Sequence, residues 1–152
     1  MATMSSSRQA ETHAPRGTAA PRLGLLLMAA SQADVAIWGL VAPRSFFRNF
    51  PGAGHHWVSA IGTYNEHLVR DFAAAELGFA VLLIAAAVWF ERRLVVIAGT
   101  AFLAGTIPHF IYHLTTTGSF STADNLASLG GFVLELVVIA AAMLVAPERR
   151  PR

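Results

Sequence analysis

Apolar residues fill four long stretches of this chain, and short polar segments separate them. The first stretch is 23-LGLLLMAASQADVAIWGLVA-42. The second spans 64–90, and 77-LGFAVLLIAAAVWF-90 is its most apolar part. The third is 94-LVVIAGTAFLAGTIPHFIYHL-114 and the fourth 124-DNLASLGGFVLELVVIAAAMLVA-146. None alternates as a barrel strand would. At about 1.5 Å per residue, roughly 20 helical residues cross a ~30 Å hydrocarbon core. Lipid offers the backbone no hydrogen-bond partners, so spanning segments of this kind are helices. The pattern therefore predicts an all-α integral membrane four-helix bundle over residues 22–146. Residues 1–21, rich in Ser, Ala, Thr and Pro without an apolar period, read as a disordered tail with a solvated His13. Residues 147–152 read as a basic C-terminal tail.

Charge orients the bundle. Arg8, Arg16 and Arg22 precede the first span, Arg92 and Arg93 lie between the second and third, and Arg149, Arg150 and Arg152 close the chain. All of these fall on one side, whereas the other side has only Arg44 and Arg48. The positive-inside rule predicts that both termini are cytoplasmic. The outward loop 43–62 carries Phe46, Phe47, Phe50 and Trp57 and reads as an interfacial or re-entrant piece. His55 and His56 within it read as a solvated or interfacial pair, and Trp38, Trp57 and Trp89 as an aromatic belt.

Ionisable residues inside a bilayer are costly and so are functional candidates. The first span has Asp34 beside Gln32. The second has Glu66, His67, Arg70, Asp71 and Glu76, the third His109 and His113, and the fourth Asp124, Asn125 and Glu135. Glu66, His67, Asp71, His109, His113 and Asp124 all fall in the outer third of their helices. At about 100° per residue, His67, Arg70 and Asp71 share a face with Glu76 nearly opposite. Thr106, His109 and His113 form one stripe, and Asp124, Ser128, Gly131 and Glu135 another. Gly130 and Gly131 offer a close approach to a further helix. Pro108 removes a backbone N–H just before His109 and can bend the helix there.

Three chemistries fit these residues. His67, Asp71, His109 and His113 form a candidate metal centre for Zn, Fe, Cu or Mn, because two imidazoles at i and i+4 can reach one ion. Haem held by His67 with His109 or His113 is a second reading. A third uses no cofactor: His109 and His113 move protons together with Glu66, Asp71 and Asp124. Structural explanations stand beside them. Polar side chains can join membrane helices, Arg70 can simply pair with Asp71 or Glu66, and Asp124 can serve as the N-cap or a first-turn residue of its helix. Glu76 and Glu135 are expected to be protonated or to pair with each other or with groups near Asp34.

Composition narrows the function class. The 152 residues are 55% hydrophobic and 13% charged, with mean hydropathy +0.52. A soluble domain is nearer a quarter charged. With no cysteine, disulfides and thiolate catalysis are excluded. The basic pI of about 9.9 comes from arginines at segment ends rather than a patch, which argues against nucleic acid. A basic complement made only of arginine, with abundant Ala and Gly, suggests a bacterial cytoplasmic membrane protein. The leading expectation is a metal-assisted enzyme acting on a lipophilic small molecule, which can enter sideways from the bilayer. The alternatives are an accessory subunit of a larger membrane redox complex, a cofactor-free isomerase or ligand-binding protein, and a proton-coupled carrier acting as a homo-oligomer.

The stretch 75-AELGFAVLLIAAA-87, a Glu followed by a Gly and an aliphatic run, resembles the small bacterial four-helix membrane proteins of the DoxX-like group. That resemblance implies a four-helix bundle with a redox association, and carries over no functional residue.

Overall fold

A computed structural model of the chain describes residues 17–148. It is all-helical among those residues. The order is α1 (Ala19–Val41), α2 (Pro43–Asn49), α3 (Glu66–Trp89), α4 (Arg92–Thr115), a single 3-10 turn (Thr117–Ser119) and α5 (Thr122–Val145). Four of these helices, α1, α3, α4 and α5, are long and apolar enough to cross a membrane. Leu27, Val81, Trp89, Leu134 and Leu144 are exposed on the outside of the bundle, as a lipid-facing surface requires. The tail expected over residues 1–21 lies mostly outside the described residues, as do His13 and the arginines at 149, 150 and 152. Its described end differs from that expectation, because α1 already begins at Ala19. Pro21 fits there, since a first-turn residue has no intrahelical partner for the N–H that Pro lacks.

Local chemistry sets the other boundaries. The Asn65 side chain accepts from the Leu68 N–H at 3.2 Å and starts α3. Ser121 accepts from the Asp124 N–H at 3.1 Å and starts α5. Phe90 ends α3 in the left-handed region (φ 40°), an uncommon place for a side chain with a Cβ. Its ring is fully buried, and the Arg22 guanidinium stands 5.2 Å above it.

The packed core occupies the end of the bundle that contains the α3–α4 turn. Leu25, Leu83, Phe90, Val95, Phe102 and Ile139 meet there, filled in by Ala29, Ala86, Ala98 and Ala142. Small residues bring α1 and α3 together along their length. A Cβ placed on Gly39 would stand 2.7 Å from the Ala73 Cβ, so the two backbones touch. Gly99 is also close-packed, but its nearest neighbour is the flexible Met143 thioether, at 2.7 Å from such a Cβ. Gly39→Ala is therefore expected to lower stability by about 1–3 kcal/mol through overpacking. Gly99→Ala should cost distinctly less, and unfolding of the two variants in detergent would compare them. Equal losses would show that α1 and α3 can separate freely at Gly39.

Candidate functional site

At the opposite end the four long helices diverge around a chamber of about 830 Å³. Its walls come from one stripe of each helix. Leu68, Val69, Phe72, Glu76 and Phe79 line it from α3, and Phe102, Thr106, His109 and His113 from α4. Ser128, Gly131, Phe132 and Glu135 line it from α5, and Ser31, Gln32 and Val35 from α1. Helix α2 and the following segment border the mouth with Phe46, Phe47, Phe50, Trp57, Val58 and Ile61. Phe79 and Phe102, edge to face at 5.5 Å, form the floor above the packed core.

Two polar groupings interrupt this apolar lining. In the first, His109 and His113 meet through their Nε2 atoms at 3.1 Å. On its other side His113 Nδ1 lies 3.3 Å from Ser128 Oγ. The three groups form a hydrogen-bonded row running from α5 to α4. His113 and Ser128 are buried, while His109 keeps exposed surface on the chamber. Phe132 and Phe72 face the His109 ring edge-on at 4.9 and 6.3 Å and fix its plane. In the second grouping, Gln32 Nε2 donates to Glu135 Oε1 at 3.3 Å, and Glu76 lines the same chamber from α3. Pro108 sits inside α4, one residue before His109, and cannot donate to the carbonyl four residues earlier.

The expected centre of His67, Asp71, His109 and His113 is not brought together. His67 and Asp71 pair with each other at 3.3 Å on the outer face of α3, with side chains 83% and 60% exposed. Neither borders the chamber. The rotation of α3 is the cause. Val69, Ala73 and Ala80 are buried, which turns Glu76 inward and carries His67 to the far side. Among the described residues, no three His, Asp or Glu side chains are grouped to hold a metal ion. The cross-helix haem pair of His67 with His109 or His113 is likewise not assembled. Zn sites draw three or four ligands from the protein, and His109 with His113 supplies two.

Glu66 and Asp124 also lie outside the chamber lining. Glu66 receives Arg70 Nη2 at 3.0 Å and the Tyr64 hydroxyl at 3.1 Å. Arg70 in turn donates to the Leu40 carbonyl at the C-terminal end of α1. Asp124 sits in the first turn of α5, behind the Ser121 cap, and latches the segment over the chamber. Its Oδ2 accepts from Ser121 Oγ at 2.7 Å, and its Oδ1 accepts from Trp57 Nε1 at 2.8 Å. The same Oδ1 sits 2.6 Å from His55 Nδ1. His55 therefore has a specific partner, and His56 Nδ1 lies 2.6 Å from the Arg48 carbonyl. Trp57 belongs to an aromatic row with Phe50, Phe46 and Trp38, with centroid spacings of 6.1, 5.0 and 5.8 Å. Gly130 and Gly131 receive no helix: a Cβ on either would meet nothing within 4 Å.

Sequence reasoning had Glu76, Glu135, Gln32 and Ser128 in hand without assigning them to a site. The available signal was phase. The stripes 106/109/113 and 128/131/135 both line the chamber, and Glu76 joins them from the face of α3 opposite His67. Comparison with family models, characterised proteins and solved structures finds no match to this chain.

Proposed function

We propose that this chain is a small multi-pass membrane enzyme whose chamber takes up a lipophilic molecule and moves a proton on it. The observation that carries the reading is the joint placement of two imidazoles and two carboxyls on one largely apolar cavity. A ligand site of this kind, concave and largely apolar with a few convergent polar groups, is the usual form for small-molecule recognition. The arginine distribution supports cytoplasmic termini and a chamber in the outer leaflet half. The arginine-only basic complement supports a bacterial cytoplasmic membrane. The resemblance of residues 75–87 to DoxX-like proteins supports the four-helix architecture alone.

The row Ser128–His113–His109 supplies the acid–base function. One imidazole nitrogen of His109, Nε2, is engaged with His113, which leaves Nδ1 for a substrate. When the hydrogens of the row point from α4 toward α5, Nδ1 is a bare base. When they point the other way, Nδ1 carries a proton and is an acid. The chain of hydrogen bonds thus sets which role His109 plays. Removal of a proton from one carbon by His109, with return of a proton from the same imidazole to a second carbon, shifts a double bond. The substrate's composition is unchanged, His109 ends in its starting form, and Glu76 and Glu135 are left to hold the substrate. Proton transfer of this kind by a positioned side chain contributes about 10²–10⁴-fold.

Purified protein in lipid discs, incubated in deuterated buffer with a bacterial membrane lipid extract, tests this by mass spectrometry. Wild type is expected to isomerise or deuterate at least one lipophilic component. His109→Ala should lower that rate by about 10²-fold or more while the fold is kept, because it removes the acid–base group and lies outside the packed core. An unchanged extract, or equal turnover by folded His109→Ala, would refute the assignment.

A further inference from the structure

The polar end of the chamber is unbalanced in sign. Two carboxyls, Glu76 and Glu135, face it, and no Arg lines it. The chain has no lysine to bring there. The nearest arginine along α3, Arg70, is engaged outside with Glu66 and the Leu40 carbonyl. Glu135 is held by the Gln32 amide, whereas Glu76 makes no hydrogen bond or ion pair among the described residues. An acidic side chain left without a partner in an apolar cavity is unfavourable unless something else completes it.

Aromatic rings surround the same place. Phe72 and Phe79 lie one turn to either side of Glu76 on the lining face of α3, and Phe79 meets Phe102 edge to face. Ring faces attract a cation, and more strongly where water is excluded. Two carboxyls with no arginine or lysine in the lining and only the imidazoles of His109 and His113 as bases, set among aromatic rings, form a receptor for positive charge rather than for an anion or a neutral polar group.

We infer that the molecule bound in the chamber is a lipophilic amine, its nitrogen anchored by Glu76 and Glu135 and its apolar body extending toward His109. This inference rests on the reading of the chamber as a small-molecule site and adds the chemical class of the ligand. The proton balance holds on either route of entry. An ammonium that meets an ionised carboxylate forms the pair directly. A neutral amine arriving through the lipid takes the proton of a carboxyl and ends as the same ammonium–carboxylate pair. Glu135, already fixed by Gln32, positions the pair, and Glu76 completes it.

The test compares two probes: a phenylalkane ending in a dimethylamino group, and its isosteric hydrocarbon with CH in place of nitrogen. Binding is measured by equilibrium dialysis to the full chain in zwitterionic lipid discs, with empty discs as background. Wild type is expected to bind the amine at least roughly tenfold more tightly than the hydrocarbon. Glu76→Gln combined with Glu135→Gln should remove that preference while leaving the hydrocarbon unaffected. Equal binding of both probes by wild type would overturn the amine inference and leave the chamber reading standing, and needs no variant to fold. Retention of the preference by a folded double variant would overturn it as well. Failure of folded wild type to bind either probe would overturn both.

Discussion

Gly131→Phe is expected to make the protein more stable and inactive at once. Gly131 lies on the lining stripe of α5, between Ser128 and Glu135, and a Cβ there meets nothing within 4 Å. A ring at this position can enter the chamber without displacing a helix. Replacing a glycine inside a helix also removes its entropic cost, worth a few tenths to about 1 kcal/mol. The neighbouring Gly130 provides the control. Its Cβ space is equally open, but it does not border the chamber. Gly130→Phe should share the stability gain and retain turnover and ligand, whereas Gly131→Phe should lose both. Opposed effects on stability and function are expected wherever an open site is kept for a ligand. Equal retention of activity by the two variants would place the functional site elsewhere.

The second large effect is expected at Asp124. One carboxylate joins three side chains: it accepts from the Ser121 hydroxyl at the start of α5, accepts from the Trp57 indole, and pairs with His55. The segment between α2 and α3 has few other ties to α5. Its own backbone bonds are short-range, such as Trp57 N–H to the Phe50 carbonyl at 2.9 Å and His55 N–H to the Gly52 carbonyl at 3.0 Å. Asp124→Ala is therefore expected to free this segment while the packed core at the far end stays intact. Hydrogen exchange should rise roughly tenfold or more across residues 50–65, with little change in α3 or α4 outside the chamber. Ligand release should quicken in parallel, because Phe50, Trp57 and Ile61 are no longer held at the mouth. Unchanged exchange in 50–65 would mean that the aromatic row from Trp38 to Trp57 holds the segment alone.

The four long helices were legible because each apolar run is long enough to span a bilayer and lies between polar breaks. Their ends moved by a few residues for identifiable reasons, including the Asn65 and Ser121 caps and the tolerance of α1 for Pro21 near its start. The phase of α4 and α5 was also legible: His109 and His113 share a stripe, and so do Ser128, Gly131 and Glu135. The rotation of α3 was not. Its polar residues occupy two opposite faces, and the sequence alone favoured the face richer in histidine and aspartate. The deciding factor is the seam with α1, where Ala73 meets Gly39, and it depends on a partner helix that no local pattern specifies. The Asp124 latch was hidden for the same reason. Asp124 reads locally as a cap or first-turn residue, and it lies in the first turn behind Ser121, but Trp57 is 67 positions away in sequence. Glu76 and Glu135, which the sequence leads one to expect protonated or paired, both face the chamber, where Glu135 accepts from Gln32.

The central claim is that the chamber holds a lipophilic molecule. Native mass spectrometry of the protein, released from discs of its own membrane, measures this most directly. Wild type and Gly130→Phe are predicted to carry one bound lipophilic molecule per chain, and Gly131→Phe to emerge bare. A wild-type chain that is folded but bare, or an adduct that survives Gly131→Phe unchanged, would contradict the account.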